Sequence, residues 1–568
     1  MRSIAAVALS LFAVVPLVAQ EKLVESVEVR VANVDVVVTD RAGKAVTGLT
    51  KDDFDLFENG KLQPITNFYE IAPEREVVIR TGTTVSAPPA AVSAPATTAS
   101  KPAAVPGDIR ARRFVFMLDN YSMQPVQRNR TLAALRKFVD ANMKSSDEAA
   151  LVVWAHKAEM ITPLTNDKQA LLRGIASVES RSRAGMSIVD EEDQARKNCQ
   201  DIISEIDGTK VTWDEAWLVC KGGIVAFSDT VWMNNKAILT DLHSVVALLG
   251  GIDGRKVIVL AGAALPQHPG REIGIWAVQQ FLPHQDIVKE RLNIAKAIGQ
   301  AASRSQALTI GDVAKFANAN GVAFYTIDAA DSRDASGAES PLMTDYEAAF
   351  NSFTDTAAAY KTLADVTGGA ALSGTQNFEV AFQTLARDLT TFYSLGYKPA
   401  EGSTADRRIS VRTKKSGLTV RARQSYTPKS SDQEMNDRVV ANLFHQPAQG
   451  EWPVTLTAKT PEKNGDRFSV PLTISLDPNI TLIPQDKNLV GGFILYIVVG
   501  MKDGGMSKVT KNARKIEIPS NAEADLRSKP MTFTLNLLVK PGDNIVSVGV
   551  SDQISDANGF ARLAVAAQ

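Results

Sequence analysis

Between about residues 110 and 400, stretches apolar on both faces alternate with amphipathic helices, and that rhythm admits few folds. Phe114-Val115-Phe116-Met117-Leu118 is a continuous apolar run closed by Asp119, and residues 128–142 then carry Leu132, Leu135, Phe138 and Val139 on one helical face. Residues 149–154, 257–260 and 322–327 predict further strands, and 168–178 and 310–320 further helices. Strands buried on both faces need helices on each side. The expectation is an α/β domain with a doubly wound, mostly parallel sheet.

The flanks read as β structure. VEVRVANVDVVV, residues 27–38, alternates apolar and polar with a period of two, and Phe54 and Leu56 precede an Asn59-Gly60 pair whose hairpin turn needs positive φ at both positions. Residues 22–75 therefore predict a small amino-terminal β module. Residues 81–107 hold Ala, Pro, Thr, Ser, Val and Gly with one Lys and no aromatic side chain, a composition that reads as a linker. Residues 401–428 predict a hairpin about Ser416-Gly417, and residues 450–568 a carboxy-terminal β-sandwich of short strands separated by Asn, Asp, Gly and Pro turns. Residues 190–235 break the α/β rhythm with an acidic start, both cysteines, Trp213, Trp217 and Trp232, and predict an insertion whose tryptophans pack it onto the parent domain.

Lys+Arg 62 against Asp+Glu 63 leaves a net charge of -1, without the basic footprint of nucleic-acid binding. Residues 1–20, MRSIAAVALSLFAVVPLVAQ, place Arg2 before an apolar run and predict a secretory signal peptide cleaved near Ala19. No later stretch predicts a membrane span, so the expected location is periplasmic or extracellular. Cys199 and Cys220 are the only cysteines, and an even pair in an exported chain predicts one disulfide, with two buried free thiols as the alternative.

In open parallel sheets, ligands sit beyond the carboxyl ends of the strands, where Asp119 lies. RRFVFMLDNYSM, LTNDKQALLRGIASV, GRKVIVLAGAALPQHPG and GVAFYTIDAADSR resemble successive segments of a von Willebrand factor type A domain. VVVTDRAGKAVTGLTKDDFDLFENGKLQPITNF before them, and LADVTGGAALSGTQNFEVAFQTLARDLTTFYSLGYKP with ISVRTKKSGLTVRARQSY after them, resemble the VWFA-related branch found in exported acidobacterial proteins. The resemblance spans about residues 27–426 apart from the linker and the insertion. It implies a metal-ion-dependent adhesion site built from Asp-x-Ser-x-Ser, a Thr and a second Asp, holding Mg²⁺ by oxygen ligands.

The pattern departs at those positions. Asp119 matches the first ligand, but Tyr121 and Met123 stand in place of the two Ser, with Ser122 one position out of register. Gly185-Met186-Ser187 supplies at best a Ser for the Thr, and Ala261-Gly262-Ala263 lacks the second carboxylate. Thioether and apolar atoms do not hold Mg²⁺, so no cofactor is expected and Asp119 is read as a cap on the following turn. Asp119, Ser122 and Ser187 remain the candidate ligand-binding residues of a rim that engages a partner without an ion. Asp328, Asp331 and Asp334 read as a solvated acidic turn, with local calcium binding as the alternative.

His156, His243, His268, His284 and His445 form no His-Glu-x-x-His pair, and neither Gly-x-Ser-x-Gly nor a phosphate-binding loop occurs. The expected function is that of an exported, non-enzymatic interaction protein whose type A-like domain binds a protein or surface polymer. The alternatives are a metal-dependent adhesin, an extracytoplasmic hydrolase with its site in the insertion, and an envelope scaffold that binds through its sandwich.

Overall fold

The alternation in VEVRVANVDVVV becomes β1 (Ala32–Thr39), with Val34, Val36 and Val38 turned to one side and Asn33, Asp35 and Val37 to the other. The computed structural model describes residues 31–72, 112–181, 187–206, 211–281, 307–330, 356–373, 377–399, 406–445, 450–501 and 505–567. The segments expected to be a signal peptide (1–20) and a linker (81–107), and Gly185, Met186, His284, Asp331 and Asp334, lie outside them. After β1 come β2 (Phe54–Glu58), β3 (Lys61–Gln63) and β4 (Ile65–Ile71). Asn59 and Gly60 adopt φ of 50° and 80° in the two-residue turn between β2 and β3, as the Asn-Gly pair requires.

The α/β body follows. It comprises β5 (Arg112–Asp119), α1 (Pro125–Asn142), β6 (Glu148–Trp154), β7 (Ala158–Thr165), α2 (Lys168–Glu179), α3 (Ile188–Ser204) and α4 (Trp213–Gly250). It continues through β8 (Arg255–Gly262), α5 (Arg271–Phe281), α6 (Ala307–Ala319), β9 (Val322–Asp328), α7 (residues 356–367), β10 (Ala370–Leu372) and α8 (Phe378–Thr390). The sheet order is β10-β9-β8-β5-β6-β7, parallel throughout except for β7 at one edge. Each strand is apolar on both faces because both are covered. Met117, Ile258, Leu260 and Phe324 meet α4 to α7 on one face, while Phe116, Val257, Val259 and Tyr325 meet α1, α2 and α8 on the other. The sheet is therefore mixed rather than wholly parallel.

The insertion is a helical pair. A Cys199–Cys220 disulfide ties α3 to α4, and Trp217 and Trp213 pack edge-on against Phe281 with ring centroids 5.2 and 5.8 Å away. Its boundary is not where the composition changes: α4 runs on unbroken, and its last turns bury Leu242, Val245, Val246 and Leu249 on the sheet.

Beyond the body, β11 (Phe392–Tyr397), β12 (Arg407–Thr413), β13 (Thr419–Ala422) and β14 (Ser425–Tyr426) return to the amino-terminal strands. The sheets β13-β1-β11-β4 and β14-β12-β2-β3 face one another across Val34, Val36, Leu56, Phe68, Tyr393, Leu395 and Ile409. The strands on either side of Ser416-Gly417, expected to pair as a hairpin, instead part company: β12 pairs with β2 and β13 with β1. Each finds a place in a four-stranded sheet with a shared apolar face, which a two-strand hairpin alone cannot provide.

Helix α9 (Ser431–Ala441) leads into the carboxy-terminal region. There β15 (Val454–Ala458), β16 (Glu462–Asn464), β17 (Arg467–Leu476), β18 (Ile483–Gln485), β19 (Asn488–Met501), β20 (Thr510–Pro519), β21 (Met531–Val539), β22 (Gly542–Asp552) and β23 (Asn558–Ala567) form two antiparallel sheets. Val470, Leu472 and Ile474 of one sheet meet Phe493, Leu495, Val546 and Val548 of the other. Met435 and Val439 of α9 cover Tyr496 and Val498 on the outer side of the second sheet. No helix among the described residues is long and apolar enough to cross a membrane.

Candidate functional site: the carboxyl rim of the parallel sheet

Strand β5 delivers Asp119 to the sheet rim, and the chain must turn at once into α1. One carboxylate oxygen of Asp119 accepts from the backbone N–H groups of Tyr121 and Ser122, both at 3.1 Å. The Ser122 Oγ accepts from the Ala263 N–H at 2.9 Å, which fixes the turn after β8 to the turn after β5. Tyr121 and Met123, standing where an ion-binding loop would have hydroxyls, are buried: Met123 in the core beneath α1 and Tyr121 against Trp154 and His156. Apolar burial thus takes up both positions.

Ser187 reaches the same rim from the start of α3. Its Oγ donates to the Asp190 carboxylate (2.9 Å), and it accepts from the Asp190 N–H (3.2 Å) and the Gln124 amide (3.3 Å). With its own N–H donating to Asp190 at 2.8 Å, Ser187 forms a capping box and is fully buried. The structure therefore brings Asp119 and Ser122 together, links Ser187 to them through Gln124 at the head of α1, and engages one Asp119 carboxylate oxygen and both serine hydroxyls internally.

A second carboxylate lies where the sequence reading placed a solvated turn. Asp328 ends β9 and is 1% exposed, so the acidic-turn reading fails for it. Strand register sets Gly262 between Asp119 and Asp328. All three lie on the face covered by α7, whose Tyr360 reaches over Gly262: a Cβ there would sit 2.5 Å from the Tyr360 hydroxyl and 3.0 Å from the Asp119 Cβ. Only glycine leaves room for that ring. Sequence reasoning read Asp328 as part of a solvated turn, noted Gly262 only for the missing carboxylate beside it, and did not single out Tyr360. The available signal was positional, since Asp328 closes an apolar strand just as Asp119 does.

Burial dominates the electrostatics. It raises Asp119 to about 6 against the opposing pull of Ser122 and the two backbone donors, and raises Asp328 to about 7 against one N–H from Ala330. The other oxygen of Asp328 has no hydrogen-bond partner, so it is the natural seat of a proton. Tyr360 is pushed well above the ordinary phenol range by burial and then by the two carboxylates. Burial and the nearby Glu191 push Tyr121 up as well.

The residues do not fit a divalent ion. Mg²⁺ takes ionised, hydrated oxygens, whereas burial opposes ionisation of both acids and the loop positions of Tyr121 and Met123 are packed into apolar cores. Among the described residues, no group of three or more His, Cys, Asp or Glu side chains could hold a metal. What remains exposed at the rim is Pro125 and Val126 at the head of α1, together with Ala155, His156 and Lys157 after β6. The His156 ring hydrogen-bonds Asn234 of α4 at 2.8 Å.

No protein-family model matches the chain, and no curated protein matches it. Solved structures similar to parts of it include an aerotolerance-related membrane protein from Bacteroides fragilis, with 12% identity over 49% of this chain and 98% of that one and a TM-score of 0.23. The conserved hypothetical protein BatB from Bacteroides thetaiotaomicron has 10% identity over the same shares, with a TM-score of 0.20. Three domains of the type V pilus tip protein Mfa5 from Porphyromonas gingivalis have 9% identity over 94% of this chain and 77% of that one, with a TM-score of 0.24. Likeness at that level carries no argument about fold or function.

Proposed function

We propose that the chain is an exported, non-enzymatic interaction protein whose type A-like α/β body recognises a protein or surface polymer through the carboxyl rim of its sheet, without an ion. The observation that carries this reading is the internal hydrogen bonding of Asp119, Ser122 and Ser187. Asp119 caps its own turn, Ser122 secures the β8 turn and Ser187 caps α3, leaving an exposed apolar and aromatic edge at Val126 and His156. The sealed carboxylates weigh against a catalytic role there, because a substrate must touch its acid or base. Export is supported by the leader-like first twenty residues and by the disulfide, a bond that persists in oxidising compartments. The type A reading itself rests on the ordered sequence segments and is supported by the strand order of the body.

Crosslinked capture from envelope extracts tests the proposal with the full chain. Val126→Asp, at a position 59% exposed on the rim, should lose the captured partner, while Leu538→Asp, 55% exposed on β21 of the sandwich, should retain it. The reverse pattern would assign binding to the sandwich and overturn the rim reading. Calorimetric titration of Mg²⁺, Mn²⁺ and Ca²⁺ should give no heat that depends on Asp119; saturable heat abolished by Asp119→Ala would restore the metal-dependent adhesin.

A further inference from the structure

At the other end of the sheet, where β8 and β9 begin, the body meets the flanking β module across a cleft of about 220 Å³. Its polar lining includes Asn33 and Asp35 of β1, Arg255 and Lys256 of β8, Asn318 near the end of α6, and Arg423 just after β13, with the hydroxyls of Thr367 and Ser394 beside them. Three cations therefore face one carboxylate. Arg255 is engaged: it donates to the Asp388 carbonyl at 2.8 Å, lies 3.8 Å from Asp35 and covers the Phe392 ring at 4.0 Å.

Lys256 and Arg423 are not satisfied in the same way. No hydrogen bond or ion pair reaches the Lys256 ammonium among the described residues. Burial lowers it to about 8, with Lys429 and Arg423 pushing the same way and Asp253 and Asp437 opposing. Arg423 donates from its two terminal nitrogens to the carbonyls of Asn33 and Asn318, but its Nε is buried without an acceptor.

The acceptors are equally incomplete. Asn318, only 1% exposed, donates to the Val366 carbonyl (2.9 Å) and the Ser425 hydroxyl (2.8 Å), which fixes its amide orientation and leaves its Oδ1 without a donor. The Asn33 Oδ1 is unpartnered too. Buried polar groups are satisfied in the great majority of cases, so one buried cationic donor and two buried neutral acceptors without partners, beside the half-buried Lys256 ammonium, describe the complement of a ligand. Positive charge requires an anion, and the amide oxygens require that the anion donate. A volume below the roughly 300–1,000 Å³ of sites for drug-sized ligands requires that it be small.

We propose that this cleft binds a small oxyanion bearing its own hydroxyl, either hydrogen phosphate or a hydroxycarboxylate. The anionic oxygens lie between Lys256 and Arg423, and the hydroxyl donates to Asn33 and Asn318. Because β1 and Arg423 belong to the β module while Lys256 and Asn318 belong to the body, the bound anion bridges the two. The site lies at the opposite end of the sheet from the recognition rim and does not depend on it.

Isothermal titration of the full chain at pH 7 tests this with sodium phosphate and sodium L-malate as probes, and with sulfate at matched ionic strength as an oxyanion without a hydroxyl. Saturable one-site heat is expected for phosphate, malate or both, the responding probe distinguishing the phosphate source from the carboxylate source. Lys256→Met, which removes the half-buried cation while keeping an apolar stem of similar length, should weaken that binding at least tenfold. Sulfate should bind at least tenfold more weakly than the responding probe, and Asn33→Ala should erase the difference. The proposal is overturned by the absence of saturable heat with both probes, by heat that Lys256→Met leaves unchanged, or by sulfate binding as tightly as the responding probe.

Discussion

Asp119 and Asp328 close two strands on the same face of the sheet, and burial favours the proton-bound form of each. In the unfolded chain both titrate near the ordinary aspartate value of 3.8, whereas in the folded chain burial moves them to about 6 and about 7. The folded state therefore binds more protons between those limits, and stability falls as pH rises through them. Asp328→Asn, which mimics the protonated acid and keeps the oxygen that accepts from Ala330, should raise the melting temperature at pH 8 and flatten its decline between pH 5 and 8. A shift of that size in a buried group corresponds to a few kcal/mol at most, on the order of 1.4 kcal/mol per pH unit. A variant that melts lower than the parent at pH 8 would remove Asp328 as the source. Asp119 was legible in the sequence as a cap because capping is local, reaching two and three residues ahead. The burial of Asp328 was not, because it depends on α7 laying Tyr360 across Gly262, and spacing grouped Asp328 instead with Asp331 and Asp334.

Among the elements, the strands and helices of the body were readable from periodicity: the runs closed by Asp119, Trp154 and Ile327 are all strands, and Leu132, Leu135, Phe138 and Val139 are buried on α1 as their spacing implied. The length of α4 was not, since its first half is marked by insertion composition while its second half packs as an ordinary body helix. The disulfide joins those two histories by clamping α3 to the outer half of α4. It closes a segment of 21 residues in sequence separation, for which chain entropy gives about 3 kcal/mol. Reduction, or the paired change Cys199→Ala and Cys220→Ala, should lower the melting temperature, and tryptophan fluorescence should report early loosening around Trp217. A melting curve unaffected by reduction would show that packing of Trp213 and Trp217 on Phe281 suffices without the bond.

For the molecule as a whole, the β module is built from both flanks of the body: Ala32 pairs with Tyr397, and Ile71 with Phe392. Such pairing leaves no local trace, which is why the sequence reading separated an amino-terminal module from a later hairpin when the two are halves of one double sheet. Strand β11 sits between β1 and β4 and would lose both neighbours without them. A chain carrying a protease site inserted between residues 81 and 107 and cut there should elute in native size-exclusion chromatography as one species, separating only in denaturant. Fragments that part under native conditions would show the interleaved sheets to be too weak to hold the module together. The same arrangement has a mechanical consequence. Tension applied at the two chain ends meets the ladder of β1 with β11 and β13 before it can reach β5, so the antiparallel sheets act as a clasp that shields the folded body from load.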